Sequence, residues 1–569
     1  MPPLGPLRRA PRRRPLQALA GLLLALPALL APPSLARAEG REVLTIGISQ
    51  YPASLHPNIE SMVAKSYILG FVRRPLTAWD PDWRLVCLLC EELPTLANGL
   101  ARQESTPDGR PGLRLRLSLR QGLRWGDGQP ITAEDLRFAW AAGREPATGF
   151  GPAEFYRQAY ELLVIDERSI ELRLDRITFA FASMGDFQPL PRHLEEPIWQ
   201  ADPRLYRSRS LYERDPTHPG LWSGPWRVAA VQPGSAITLE RNPLWSGPAP
   251  HFRQIRIRTV ENTTALEAQL LAGQIDMIAG ELGLPAEQAA ALERRARGRF
   301  VLHWRPGLVY EHLSPNLDHP ALADRRVRQA LLLALDRQRI VAQLFEGRQT
   351  VAHGPLHPLD PMHDPAAPRW PFDPARAARL LAEAGWTPGP DGIRRNAAGE
   401  RLSLELMTTA GNRSREQVQQ VIAAQWRAVG VEVRIRNEPP RVLFGETLRQ
   451  RRHQGFVLFA WVSSPEGVPR SSLSSTEVPS PANGFSGQNY AGFRHAELDA
   501  ILEELPVTLQ AEARRPLWSR LQAIYAEELP ALPLWFRQEA HIWPRWLEGV
   551  RPTGHLNPSS LWAEEWRAR

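Results

Sequence analysis

Hydrophobic positions recur along this chain at two spacings, and the two spacings alternate. Leucine alternates with arginine or serine over residues 113–120, which predicts a half-buried strand. Over residues 414–429 the apolar side chains recur at helical spacing, which predicts an amphipathic helix. Residues 402–408 and 431–435 have the composition of strands on either side of that helix. Alternation of strands and helices predicts an α/β fold.

The segment around which the rest of the chain is organised is residues 309–345. It begins as a short apolar strand, turns at Pro315 and Asn316, and continues with apolar residues at helical spacing. The carboxylate of Asp324 is placed to cap a single long helix, and Gly347 is placed to end it. By itself this pattern indicates only a helix packed on a core.

Composition and charge limit the classes of protein to consider. A chain of 569 residues is expected to form about two or three domains, and 43% hydrophobic with 23% charged residues is typical of a folded protein. The pI of about 9.9 would suit a nucleic-acid partner. However, residues 1–38 contain six arginines and no acidic residue, and without them the net charge falls from +8 to +2. We therefore expect no nucleic-acid partner.

Residues 1–38 have the pattern of a secretory signal peptide. An arginine-rich start precedes an apolar run over residues 16–30, and Ala36 and Ala38 supply small residues for cleavage before Glu39. The apolar run is too short and too interrupted by proline to span a membrane. No cysteine lies near the cleavage site to carry a lipid. We expect a cleaved, periplasmic protein that is not lipid-anchored.

The chain contains two cysteines, Cys87 and Cys90. In an oxidising compartment such a pair can form a local disulfide, and a redox-active pair or a zinc site are the alternatives. Zinc would need two further ligands at a suitable spacing, and the sequence offers no such motif. The apolar and acidic neighbours do not lower a thiol pKa. A structural role, as a disulfide or as buried thiols, is favoured, and no metal site is expected.

Several motifs occur in a fixed order and carry a resemblance to a known family. In the most specific, residues 119–140, Leu-Arg-x-Gly, a tryptophan, Asp-Gly, Pro and Thr-Ala-Glu-Asp precede a helix. Further matching motifs lie at residues 223–228, 239–245, 309–345, 373–386 and 529–535. Together they resemble the family 5 extracellular solute-binding proteins of ABC importers, which include dipeptide- and oligopeptide-binding proteins. The resemblance covers roughly residues 43–550.

The resemblance implies a type II periplasmic-binding-protein fold, an α/β fold with two lobes and an extra subdomain in the first lobe. The implied division is lobe I at residues 39–78, 188–306 and 530–569, the small subdomain at 79–187, and lobe II at 307–529. It also implies that a hinge closes the lobes on a ligand. The ligand would then pass to a membrane permease with associated ATPases. A monomer is expected.

Candidate ligand-binding residues follow the buried strand predicted over residues 456–461. In peptide-binding members of the family this strand ends in an aromatic residue, and a nearby aspartate pairs with the α-ammonium group of the ligand. Trp461 matches the aromatic residue, whereas Ser464 stands where the aspartate is expected. Glu466 could replace it from a shifted position, and otherwise a ligand without a free α-amino group is favoured. The predicted ligand-binding residues are Tyr51, Trp461, Ser463, Ser464, Glu466, Asn489 and Tyr490.

Enzyme signatures are not found in the sequence. It contains no serine elbow, no zinc-protease motif, no phosphate-binding loop and no dinucleotide fingerprint. We therefore expect a binding protein for peptides or a peptide-like solute, without catalytic residues and without a cofactor. The alternatives are a binding protein for an oligosaccharide or a metal chelate, an unrecognised periplasmic hydrolase, and a thiol chaperone that uses Cys87 and Cys90. Packing in the core is an equal alternative for Tyr51 and Trp461.

Overall fold

The computed structural model describes most of the chain beyond residue 40. The described ranges are 41–59, 62–150, 154–296, 298–439, 442–483 and 487–569. The expected signal peptide, residues 1–38, lies outside these ranges and stays a prediction. Within them, no helix has both the length and the apolar character that crossing a lipid bilayer requires.

Strands and helices alternate along the chain, as the hydrophobic spacing predicts. In chain order the strands are β1 Val43–Ile48, β2 Thr77–Trp79, β3 Leu85–Cys87, β4 Ala101–Ser105, β5 Pro111–Ser118, β6 Ala159–Val164, β7 Ser169–Leu174, β8 Trp226–Gln232, β9 Ala236–Arg241, β10 Gln254–Thr259, β11 Met277–Ile278, β12 Phe300–Pro315, β13 Thr350–Val351, β14 Thr387–Pro388, β15 Arg394–Arg395, β16 Ser403–Met407, β17 Glu432–Ile435, β18 Gly455–Val462, β19 Leu532–Pro544, β20 Leu547–Glu548 and β21 Arg567–Ala568. The α-helices are α1 Val63–Val72, α2 Ala133–Arg144, α3 Glu154–Gln158, α4 Arg192–Ala201, α5 Tyr206–Arg209, α6 Leu211–Arg214, α7 Thr263–Leu271, α8 Ala286–Arg295, α9 Pro320–Ala323, α10 Arg325–Leu333, α11 Arg337–Phe345, α12 Pro374–Glu383, α13 Arg413–Ala428, α14 Arg470–Leu473, α15 Ala496–Val507 and α16 Ala511–Glu528. The α/β class is therefore confirmed.

One large mixed sheet contains eleven of the described strands. Its order is β17-β16-β18-β12-β19-β11-β1-β10-β9-β8, and β13 pairs with β19 outside this path. Toward one end β16 runs parallel to β17 and β18, and toward the other β1 runs parallel to β10 and β11. Between these parts β12 runs antiparallel to both β18 and β19. Two partly parallel regions are thus joined by antiparallel strands.

Strands β12 and β19 pass from one hydrophobic cluster into another. They contain 16 and 13 residues, and their mutual register shifts between Pro306 and Tyr310. Leu313 of β12 packs into the cluster that contains α10, α11, α12 and α13. Ile542 of β19 packs into a different cluster, with α7 and α8. The two strands therefore form a continuous connection between two separately packed regions.

A smaller antiparallel sheet of order β4-β5-β7-β6 lies within residues 79–187, the expected small subdomain. Leu113 and Leu115 of β5 are fully buried, which confirms the half-buried strand predicted there. Helix α2 follows, and a capping box lies at its start. The backbone N–H of Thr132 donates to Asp135 Oδ2 at 2.8 Å.

The helical segment that starts at Asp324 differs from its prediction. The spacing predicts one long helix, whereas the structure contains α10 and α11, separated at residues 334–336. Asp324 caps α10 as predicted, because its Oδ1 accepts a hydrogen bond from the backbone N–H of Arg326. Asp336 caps α11 in the same way, through the N–H of Arg339. The prediction of one helix is wrong because a second aspartate competes for the backbone in the middle of the segment.

The expected boundary between the lobes, at residues 306 and 307, coincides with the register shift in β12. Residues 41–569 nevertheless form one compact unit by their contacts. The division into lobe I, lobe II and the small subdomain therefore stays a prediction.

Candidate functional site

A cavity of about 330 Å³ lies beside the paired strands β12 and β18. Four residues of β12 line it, Leu308, Tyr310, His312 and Ser314. They are alternate residues of the strand, so one face of β12 points into the cavity. Strand β18 contributes Phe459, Trp461 and Val462. Residues from the segments 463–473 and 488–491 close the cavity from another side. The loop after β13 supplies further lining residues.

An aromatic wall covers the strand side of this cavity. It consists of Tyr310, His312, Phe459, Trp461 and Tyr490. The ring centroids of Trp461 and Tyr490 are 5.9 Å apart and their planes differ by 23°. His312 lies 5.2 Å from Tyr310 and 4.4 Å from Phe459. Rings in contact at such distances form a continuous and largely apolar surface for a ligand.

The polar atoms of the aromatic wall are uncharged at neutral pH. Burial lowers the pKa of His312 to about 4, although its Nδ1 lies 3.3 Å from the carbonyl oxygen of Tyr310. Burial also raises the pKa of Tyr310, whose hydroxyl lies 2.9 Å from that of Tyr525. The wall therefore offers ring faces and neutral hydrogen-bonding groups, and it carries no charge of its own.

Four of the predicted ligand-binding residues lie together on the cavity. Trp461 and Tyr490 belong to the aromatic wall, and Ser463 and Ser464 follow on the segment after β18. Trp461 stands opposite Tyr310 in the register of the two strands. The described part of the segment after β18 contains α14 and short 3-10 turns at Ser475–Glu477 and Pro481–Asn483.

Glu466 does not line the cavity, although it was the candidate replacement for the missing aspartate. Its Oε2 forms an ion pair with Arg514 Nη2 at 2.7 Å. The side chain of Arg514 is 6% exposed and that of Glu466 is 20% exposed, so most of this pair is shielded from water. A carboxylate that is already neutralised by a buried arginine has little remaining attraction for a cationic ligand.

Asn489 also lies away from the cavity lining, in a buried position. Its amide nitrogen donates to the carbonyl oxygens of Leu473, Ser474 and Phe493, and its Oδ1 accepts from the N–H of Phe493. Both the nitrogen and the oxygen of the amide group therefore have backbone partners. Asn489 therefore shapes the segment that carries Tyr490, and the structure gives it no direct place on the cavity.

Tyr51 lies outside the cavity lining as well. It is half-buried against the hydrophobic cluster around β1. Burial raises the pKa of its hydroxyl, and the backbone of Gly234 acts in the opposite direction by hydrogen bonding. This placement corresponds to the core alternative for Tyr51.

Sequence reasoning missed several polar groups of the site, and His312, His357 and Asp360 are three of them. His312 is the fourth residue of the predicted strand, and its alternation with Tyr310 was a usable signal. His357 and Asp360 also line the cavity, from the loop after β13. Nothing in their local sequence indicates a site, because this loop reaches the cavity only through tertiary packing.

The structure joins Cys87 and Cys90 by a disulfide bond. Cys87 lies at the end of β3, and neither residue lines the cavity beside the aromatic wall. Within the described ranges, no group of three or more histidine, cysteine, aspartate or glutamate side chains is arranged to hold a metal ion. The disulfide lies in the region of the expected small subdomain.

Solved structures identify the architecture. The chain superposes on the oligopeptide-binding protein from Thermus thermophilus complexed with a pentapeptide, with a TM-score of 0.72 and 29% identity, over 92% of this chain and 96% of that chain. It also superposes on NikA from Brucella suis in complex with Fe(III)-EDTA, with a TM-score of 0.74 and 20% identity, over 93% and 100% of the chains. Fold and cavity define a two-lobed periplasmic binding protein of type II with an extra subdomain in the first lobe.

The sequence comparisons lead to the family. The model for "Bacterial extracellular solute-binding proteins, family 5 Middle" matches residues 95–480. The oligopeptide-binding protein AppA of Bacillus subtilis is 24% identical over 462 residues, which are 79% of this chain and 80% of that protein. This chain therefore belongs to the bacterial extracellular solute-binding proteins of family 5.

Proposed function

We propose that the protein is the substrate-binding component of an ABC importer and that it captures peptides or a peptide-like solute in the cavity beside the aromatic wall. The observation that carries the proposal is this wall, which meets serine side chains and strand backbone around one cavity. Aromatic faces accept many side chains, while hydroxyl and backbone groups hydrogen-bond to a main chain. The solved relative from Thermus thermophilus, which holds a pentapeptide, supports a ligand of this class.

The size of the cavity agrees with a small ligand. Its volume of about 330 Å³ lies near the lower end of the ~300–1,000 Å³ that is usual for ligand pockets. Leu556, from the C-terminal region expected in lobe I, reaches the cavity and is 58% exposed. Rotation of the lobes about β12 and β19 would cover this side chain and exclude water from the ligand.

The remaining parts of the proposal follow from this role. The protein acts in the periplasm after cleavage of its leader, as a monomer, and it passes its ligand to permease subunits with associated ATPases. It performs no catalysis and needs no cofactor, and the thiol-chaperone and hydrolase alternatives have no support in the geometry of the cavity.

A metal chelate is a second candidate ligand, and one observation favours it. His357 lines the cavity, and its buried Nε2 has no hydrogen-bond partner. Burial, followed by the charges of His363 and Arg305, lowers the pKa of His357 to about 4. The N–H of Leu359 donates to Nδ1 of His357 at 3.0 Å, so the proton of the neutral ring is on Nε2. This free N–H is a suitable donor to a carboxylate group of a metal chelate.

The test is a thermal-shift and tryptophan-fluorescence screen of the purified mature protein. The panel contains di- to octapeptides, oligosaccharides and a nickel–histidine complex. A ligand that binds only the folded state at a concentration of 100 Kd stabilises it by about 2.7 kcal/mol. We expect peptides to raise the melting temperature. A shift with the nickel complex or an oligosaccharide, and with no peptide, would contradict the peptide proposal.

A further inference from the structure

Asp360 holds an unusual position on the cavity. Among the described residues that line it, Asp360 is the one acidic side chain, and no arginine or lysine is present. The residue is 8% exposed, so the carboxylate is largely withdrawn from water. A cavity lined by aromatic, aliphatic and hydroxyl groups thus contains a single acidic group.

The hydrogen bonds of Asp360 come from the backbone alone. Its Oδ1 accepts from the N–H of Met362 at 2.9 Å, and its Oδ2 accepts from the N–H of Glu466 at 3.1 Å. These bonds join the loop after β13 to the segment after β18. A carboxylate has about four acceptor positions, so both oxygens can accept a further hydrogen bond.

No ion pair among the described residues includes Asp360, which distinguishes it from the neighbouring Glu466. The charge of Glu466 is balanced by Arg514. The charge of Asp360 has no such counter-ion among the described residues, although the two segments are joined by a hydrogen bond. Burial raises the pKa of Asp360, whereas the backbone N–H groups of Met362 and Glu466 lower it. The negative charge of Glu466 raises this pKa further. A cation beside Asp360 would favour the ionised form and relieve this cost.

We propose that Asp360 binds a positively charged group of the ligand, so that the cavity selects solutes with an ammonium or guanidinium group. This inference rests on the proposed function, because it assumes that the ligand occupies this cavity. A charged donor at Asp360 forms a charge-assisted hydrogen bond in a site from which water is largely excluded. Ring faces of the aromatic wall attract the same kind of group through their quadrupoles.

The consequence differs from what the sequence suggests. Without an acid at Ser464, the sequence favours a ligand that lacks a free α-amino group. In the structure, a carboxylate from a different segment reaches the same cavity as Ser464. The ligand is therefore expected to carry a cation, either an α-ammonium group or a basic side chain.

The test uses two matched pairs of peptides and isothermal titration. Tetra-alanine and its N-acetyl form differ in the α-ammonium group. N-acetyl-Ala-Lys-Ala-Ala and N-acetyl-Ala-Gln-Ala-Ala differ in the charge of a side chain. We expect the wild-type protein to bind the cationic member of at least one pair about tenfold or more tightly than its neutral partner, as a charged hydrogen bond implies. The pair that shows the preference identifies the source of the cation.

Two variants connect this preference to the residue. Asp360→Asn removes the charge but keeps an acceptor, and it should bring the two members of the responding pair to within about twofold of each other. Glu466→Gln is the matched control, because it removes a neighbouring carboxylate that is already paired, and it should keep the preference. Asp360→Glu keeps the charge and should retain part of the preference if the folded state tolerates the longer side chain.

Each outcome decides the matter. Equal affinity of the wild-type protein within both pairs overturns the inference, and this result does not depend on how any variant folds. A preference that persists in a folded Asp360→Asn variant overturns it as well, and leaves Asp360 as a residue that only holds two loops together. If the wild-type protein binds none of these four peptides, the inference fails. The peptide function fails as well only if the di- to octapeptides of the wider panel also give no thermal shift.

Discussion

Glu311 lies on the face of β12 that points away from the cavity, and two arginines enclose its carboxylate. Arg415, near the start of α13, donates from Nε and Nη2 at 3.2 Å and 3.1 Å. Arg537 of β19 donates from Nε at 2.7 Å. Glu311 is 2% exposed, so this group joins two long strands and a helix inside the protein. Replacing Glu311 with glutamine should therefore destabilise the fold strongly.

The size of this destabilisation follows from the pKa of Glu311. Burial alone would raise the pKa of Glu311, but Arg537 and Arg415 lower it from the usual 4.5 to about 2. A difference of this size corresponds to about 3 kcal/mol of stability. Removing one partner of a buried ion pair costs ~3–5 kcal/mol in general, because the other charge remains buried and unpaired. Here this applies to Arg415, whose side chain is 12% exposed, whereas Arg537 is 41% exposed and keeps contact with water, so the lower end of the range is expected. We expect Glu311→Gln to lose about 3 kcal/mol at pH 7.

The pH dependence of this loss has a definite sign. The folded-state pKa of Glu311 lies below its unfolded-state value, so the ionised form contributes stability above about pH 4.5. That contribution disappears as the pH falls toward about 2. The difference in unfolding free energy between the wild-type protein and Glu311→Gln should therefore be largest at pH 7 and should shrink as the pH falls from about 4.5 to about 2.

The assay is urea unfolding followed by circular dichroism at pH 7 and pH 3. The matched control is Glu497→Gln, because Glu497 and Arg520 form an ion pair in which both side chains are 48% exposed. An exposed pair contributes ~0–1 kcal/mol, so the control should unfold close to the wild-type midpoint. If Glu311→Gln also unfolds within about 1 kcal/mol of the wild-type protein at pH 7, the electrostatic reasoning is refuted.

Two further predictions concern local structure. Replacing both Cys87 and Cys90 with serine should lower the unfolding free energy by about 2 kcal/mol, because the disulfide closes only a short loop. Ligand affinity in titration calorimetry should stay unchanged. A loss of ligand binding in the folded variant would favour a thiol-based role. Asp336→Ala should cost about 1 kcal/mol in urea unfolding because α11 loses its cap, while Asp336→Asn should cost much less. Equal unfolding midpoints for the two Asp336 variants would contradict the break between α10 and α11.

Local patterns in the sequence were sufficient for much of the fold. The alternation of leucine over residues 113–120 depends only on neighbouring residues, and β5 follows it closely. The cap at Asp324 is also local, and this aspartate accepts the expected backbone hydrogen bond. The break at Asp336 was missed because apolar spacing continues across it, so the cap competes with a helix that periodicity alone favours.

The site was less accessible to sequence reasoning because its contacts join distant segments. Glu466 and Arg514 are 48 residues apart, and Asp360 and Glu466 are 106 residues apart. No local pattern shows which of two acids is neutralised and which remains on the cavity. Trp461 was found because the resemblance expects an aromatic residue at the end of this strand. Asp360 required the folded loop after β13.

The central claim is that the ligand binds against the aromatic wall. The most direct measurement is titration calorimetry of Trp461→Ala with the ligand that most stabilises the wild-type protein. Trp245→Ala is the matched control, because Trp245 is a half-buried tryptophan outside the cavity lining, with its Nε1 bonded to the carbonyl oxygen of Pro248. We predict that Trp461→Ala loses about tenfold or more in affinity, as for a central aromatic contact, while Trp245→Ala stays near wild type. Wild-type affinity in a folded Trp461→Ala variant would contradict the claim.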